Sequence, residues 1–253
     1  MEPQQSTFSE IIESEHDLVL QGAERYGAYH ANALGFTELL QTFLRSATLD
    51  RFVVVMFISQ IRKHITLAFL STLRLHHVQA MMDLRQALEA GACAAYAIAN
   101  PDVGGFADIG ADGLLDAPQD LAKKRYAWLD KHYPHGSTAI KNMKASINQA
   151  SAHTNIVYAH QNFTVVAEKG RFETPFFDIE DDLLVKTDLW MVANISMGLV
   201  DLCYGVNKDY GALVFVDDYA TKLKTLEVEN QRLKTEMLGN PRLAKWASGL
   251  GKQ

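Results

Sequence analysis

Apolar positions along this chain recur at helical spacing almost throughout. Thr7-Phe-Ser-Glu10 has the spacing of a capping box, and Ile11, Ile12, Leu18 and Val19 carry an apolar face behind it. The pattern predicts a first helix to about Ala47, with Gly22, Gly27 and Gly35 as places where it bends or breaks. Asp50 is placed to cap a helix from Arg51 to about Leu70, and Ser71–Ala99 reads as helix again, either continuous with it or separate. Asn100-Pro101 stops that run, since proline cannot continue a helix and disfavours it in the residue before. Residues 100–117 carry four Gly, four Asp and one Pro, and form the one long predicted loop. Pro118 suits the first turn of a helix to about His132, and Ser137 caps another to about Gln161. The single strand signal is Phe163–Phe177, where two β-rich runs flank Lys169-Gly170 as a hairpin. Such a hairpin must pack on something, because an isolated one is unstable. Helices follow at about 179–206, with an acidic first turn, and at about 216–238, ahead of Gly239-Asn-Pro241. The class is therefore all-α: a six- to seven-helix bundle with one small β-hairpin insert at about 163–177. Residues 1–215 form the bundle, 216–238 a C-terminal helix and 239–253 a tail.

Composition adds limits more than identity. The 253 residues are 48% hydrophobic and 21% charged, with 24 cationic and 30 anionic side chains, a net charge of −6. No strong whole-chain footprint for nucleic acid follows from that balance. The first residues, MEPQQSTFSEIIESEHD, are polar and acidic, unlike a secretory or transit leader, so a cytoplasmic protein is expected. Three apolar stretches, Phe52–Ile61, Ala87–Ala99 and Leu189–Val206, are short or interrupted by polar residues, and read as core helices with no membrane partner. Cys93 and Cys203 lie in apolar surroundings and read as buried thiols. The one Glu-x-x-His, Glu13 to His16, has no second copy to complete a di-iron site. Walker A, GxGxxG after a strand, GxSxG and HExxH are all missing. No metal and no cofactor are expected.

Candidate chemistry gathers in two places. Residues 62–85 hold Arg62, Lys63, Arg74 and Arg85 against Asp83 alone, the most basic stretch of an acidic chain. Arg74, Met81 and Arg85 recur at seven and four, one helical stripe, and His76 and His77 lie beside it. Arg74, His77 and His160 are thus candidate ligand-binding residues for RNA or a small anion. Arg85 and Glu89 form an i, i+4 pair beside the small-residue run Ala90–Ala95, which places them half-buried on a central helix. His153 and His160, seven residues apart, share one helix face but stand about 10 Å apart along its axis, too far for one metal.

Arg85-Gln-Ala-Leu-Glu89 and Ser146-Ile-Asn-Gln-Ala-Ser-Ala-His153-Thr-Asn155 resemble the Arg/Glu-bearing central helix and the later Ser/His helix of HEPN-type domains and related bacterial all-helical families. The resemblance implies a four- to six-helix bundle over residues 50–205. In its ribonuclease or nucleotide-modifying members it implies His153 as general base, Arg85 stabilising phosphate charge, and Glu89 beside it. Ribonuclease members also carry Arg and His separated by four to six residues. Arg25 to His30 and Arg125 to His132 fit that spacing, but neither falls in the Ser/His helix.

The last helix carries an interaction pattern. Leu223, Asn230 and Met237 share one heptad position and Leu226 and Leu233 the other, with charged flanks. A lone Asn among Leu is what fixes register in parallel dimeric coiled coils, so these five residues are the expected seam of a homodimer. The leading expectation is a non-catalytic, self-associating bundle that binds a partner or a small anionic ligand; the alternative is a HEPN-like ribonuclease or toxin.

Overall fold

A computed structural model describes residues 7–110, 113, 115–116, 118–151, 163–166, 168 and 170–243. Helix α1 (Phe8–Thr42) opens on the capping box: the Thr7 hydroxyl accepts the Glu10 amide and the Glu10 carboxylate accepts the Thr7 amide. Gly27, at φ 51° and ψ −122°, breaks α1 into two rods, a backbone state that glycine adopts without a side-chain clash. The helix ends before the expected Ala47. Leu44–Ala47 form strand β1 instead, paired antiparallel with a distant strand at Leu213–Phe215. Nothing local marks β1 as a strand; its partner is supplied by the tertiary fold.

Helices α2 (Phe52–Leu73) and α3 (His77–Ala99) are separate. Leu75 sits in the left-handed region at φ 59°. That conformation costs a non-glycine residue about 1 kcal/mol or more. Two hydrogen bonds hold it: the Asp178 amide donates to the Leu75 carbonyl at 3.0 Å, and the His77 amide donates to the Asp178 carboxylate at 2.8 Å. The break overturns the expected Arg74–Met81–Arg85 stripe, since Arg74 ends α2 and only Met81 and Arg85 belong to α3.

The glycine-rich loop contains a short ladder, β2 (Asp108–Ile109) with β3 (Leu115–Asp116). Helices α4 (Leu121–His132) and α5 (Pro134–Ser151) follow as a tight pair. The expected hairpin is present as β4 (Thr164–Val166) and β5 (Arg171–Glu173), with Val165 opposite Phe172 and Gly170 at φ 57° in the turn. Helix α6 (Asp182–Tyr210) is capped by Asp181, which accepts the Leu183 and Leu184 amides, and ends at left-handed Gly211. Strand β6 (Leu213–Phe215) returns to β1, and α7 (Tyr219–Leu238) lies across α1 and α6. The chain is thus an all-α bundle of seven α-helices among the described residues, with small two-stranded ladders.

Helix α3 is the centre. Ala90 to Ala95, Ala97 and Ile98 are all buried, and α2 and α6 both pack on this helix. A Cβ on Gly91 would stand 2.2 Å from Leu199 Cδ2, so this side-chain-free position sets how closely α3 and α6 approach. Residues 49–73 and α6 are each long and apolar enough to cross a membrane by length and composition; both α2 and α6 pack against α3 here.

Candidate functional site

Three helices meet around Glu89. Arg125 comes from α4, where Leu121, Arg125 and Leu129 share one buried face at i, i+4 and i+8. Only 6% of Arg125 is exposed. Its Nη1 donates to Cys93 Sγ at 2.7 Å and its Nη2 to Glu89 Oε2, while its Nε is buried with no hydrogen-bond partner. From α5, Lys144 donates to Glu89 Oε1 and, at 3.1 Å, to the Tyr126 hydroxyl. Both cations stand over the Tyr126 ring, Arg125 at 4.8 Å and Lys144 at 5.0 Å from its centroid. Burial alone would raise the Glu89 carboxyl, but Lys144 and Arg125 outweigh it and hold it below the ordinary range. Burial pushes the Cys93 thiol up despite the guanidinium beside it.

This arrangement corrects the expected Arg85–Glu89 pair. The Glu89 carboxylate is taken by Arg125 and Lys144, and Arg85 has no ion-pair partner among the described residues; its Nε is buried without a hydrogen bond. Helix directions show what faces Arg85. His77 meets Asp188 and Gly91 meets Leu199, so α3 and α6 run parallel. Gly136 meets Leu202 and Lys144 meets Glu89, so α5 runs against both. One turn from the Glu89–Lys144 contact, Arg85 and Asn148 therefore stand at the same level. Asn148 Oδ1 is also buried without a partner. The junction holds Arg85, Arg125 and Lys144 against Glu89, that is 3 − 1 = +2.

The other expected residues are placed as follows. His77 Nδ1 lies 2.5 Å from Asp188 Oδ2, and its amide is bound to Asp178. Burial alone would push its imidazole down; Asp188 and then Asp178 outweigh that and hold it above its ordinary value. Two carboxylates beside His77 make it a poor seat for an anion. His76 is bound to Glu15 at 2.9 Å and packs against the Phe176 and Phe177 rings. Arg74 sits at the end of α2 for the backbone reason given above. His153 and His160 lie outside the described residues, and with them the general base of the nuclease reading.

The expected dimer seam faces its own bundle. Asn230 is 3% exposed, and its Oδ1 accepts from Asn32 Nδ2 of α1 at 3.0 Å, not from a second Asn230. Its Nδ2 donates to Asn194 Oδ1 of α6 at 3.4 Å, and its carbonyl accepts Trp190 Nε1 at 3.1 Å. Leu233 and Met237 are buried, and Leu223 and Leu226 pack on the same core. Leu226 Cδ2 fills the space 2.6 Å from where a Gly35 Cβ would stand. A heptad pattern cannot tell a partner helix from neighbours in the same chain, and here α1 and α6 occupy the seam.

Lys144 and Tyr126 carry no functional signal in the sequence, and Arg125 enters it only through its spacing to His132. The available signal was an arginine midway between Leu121 and Leu129 on an otherwise apolar stripe. No family model, curated protein or solved structure matches this chain.

Proposed function

We propose that this chain is a non-catalytic helical domain that binds a small oxyanion, a phosphate or carboxylate, at the junction of α3, α4 and α5. The observation that carries this reading is that Arg125 and Lys144 already take the Glu89 carboxylate, while half-buried Arg85, one turn along α3, has no ion partner among the described residues. A guanidinium partly out of water with no counter-charge carries a cost, and an anion on Arg85 offsets it. Guanidinium groups also match the planar fork of such anions. The reading is non-catalytic because the groups assembled here are ill-suited to moving protons. Glu89 is held as a carboxylate by two cations, and the Cys93 thiol is pushed up by burial.

The test is calorimetric titration of the chain with inorganic phosphate and with acetate at low ionic strength. Saturable binding by the wild type, lost in Arg85→Met and weakened as salt is added, is the expected result. Equal heats from wild type and Arg85→Met refute the site.

A further inference from the structure

Between α5 and α6, above Leu88 of α3, lies a cleft of about 160 Å³. Ile140, Met143, Met197 and Leu202 wall it, and among the described residues no charged side chain lines it and Asn194 carries its one polar side chain. Gly198 forms part of the wall, and a Cβ built there meets no atom of the described residues within 4 Å. Asn194 Oδ1 accepts from Asn230 Nδ2, which leaves the Asn194 amide N–H groups to donate.

We propose that this cleft binds a small uncharged molecule, an apolar body of about five or six carbons carrying one hydrogen-bond acceptor, such as a short-chain or cyclic ketone or ester. Volume selects that class. A benzene-sized ring fills a cavity of about this size. A partner helix would insert several side chains along i, i+4 and i+7, and this cleft has room for one. Charge selects it too: a carboxylate or ammonium here would lose its water and meet no counter-ion. The amide of Asn194 supplies the single polar contact that orients such a guest, the usual economy of a small-molecule site. The site is separate from the cation junction. Met143 and Lys144 point about 100° apart around α5, so one flank of that helix faces the cleft and the next faces Arg125.

The experiment follows the methionine methyl signals of the full chain during titration with cyclohexanone. Saturable shifts confined to the Met143 and Met197 methyls are expected, with Gly198→Leu weakening the response at least tenfold while its circular dichroism matches wild type. Should the leucine variant fail to fold, Gly198→Ala gives the smaller change in the same direction. Cyclohexanecarboxylate is the charged comparator and should leave both methyls unmoved, whatever it does at Arg85. Absence of saturable shifts in the wild type overturns the proposal, as does an unchanged response in a folded Gly198→Leu. Because the probe is neutral, either failure leaves the anion reading of the Arg85 junction standing.

Discussion

At the junction of α1, α6 and α7, Asn32, Asn194 and Asn230 hydrogen-bond one another, Trp190 Nε1 closes on the Asn230 carbonyl, and the Tyr29 hydroxyl donates to the Leu233 carbonyl. At the junction of α3, α4 and α5, a less buried set is built from charges, with only Arg125 fully inside, and its cations outnumber its carboxylate among the described residues. Both tie three helices through one central side chain, Asn230 in the first and Glu89 in the second. The neutral junction completes nearly all its bonds within the chain and fixes how α7 lies on the bundle. The charged one leaves Arg85 Nε, Arg125 Nε and Asn148 Oδ1 without partners. A polar network that closes on itself specifies packing; one left short of negative charge invites a ligand.

The largest effect that separates the two junctions should come from Glu89→Gln. Removing the one carboxylate leaves buried Arg125 with no counter-charge, a change that costs about 3–5 kcal/mol when an ion pair is broken from one side. Urea unfolding at neutral pH measures it, and a loss under about 1 kcal/mol would mean that water already solvates the junction. Asn230→Leu comes next. It strands Asn32 Nδ2 and the Asn194 carbonyl oxygen, at about 1–3 kcal/mol for buried groups left unpaired. The double change Asn32→Leu with Asn230→Leu should cost less than the two singles added together, since it removes both ends of one bond. Light scattering should report the same mass for Asn230→Leu as for wild type. A shift toward larger species would restore the seam to a partner chain.

Acidity distinguishes the junctions a third way. Asparagines do not titrate, and burial pushes the Tyr29 hydroxyl above its ordinary value, so the α1–α6–α7 network contributes no pH dependence in the acid and neutral range. Glu89 has its folded pKa below its usual value of 4.5, so the stability it contributes is present above pH 4.5 and is lost as pH falls through the folded value. His77 has its folded pKa above its usual value of 6.5, so its contribution is complete below pH 6.5 and is lost as pH rises through the folded value. Through these two groups urea midpoints are favoured between those values, while Asp188, whose carboxyl burial pushes up despite His77, works against stability as pH climbs past 3.8. Glu89→Gln should shrink the acid limb, to which Asp130, Asp181 and Glu229 also contribute because their hydrogen-bond partners hold them low, and His77→Asn the alkaline limb, while Asn230→Leu lowers the whole curve without changing its shape.

The two junctions also differ in how far they could be read from sequence. Helix periodicity, the Thr7 capping box and Asn100-Pro101 located most of the bundle, because each is a local signal. The β1–β6 ladder escaped because Leu44–Ala47 is a strand only through pairing with Leu213–Phe215. The heptad of α7 marks its leucine and asparagine positions as the seam of a homodimer, whereas in this structure they meet Gly35, Asn32 and Asn194 of the same chain, which no pattern within α7 encodes. Arg85 and Glu89 were both recognised as central. The i, i+4 rule then paired them wrongly, because a guanidinium from α4 and an ammonium from α5 compete for the same carboxylate. Spacing along one helix reports which groups are near, and only the packed neighbours decide which of them bond.

Arg85→Met gives the smallest change in stability and the sharpest contrast. Arg85 has no ion pair to lose among the described residues, and methionine keeps an unbranched apolar stem against α5 while removing a charge that is half out of water. In buffer free of multivalent anions the variant should lie within about 0.5 kcal/mol of wild type, or be more stable. Adding phosphate should then reverse the order, because only the wild type gains binding energy, and its melting temperature should climb with the logarithm of phosphate concentration while that of the variant stays flat. A loss of about 2 kcal/mol or more in anion-free buffer would show that Arg85 is structural, held by contacts as firm as those of Asn230. In that case the charged junction would be as closed as the neutral one.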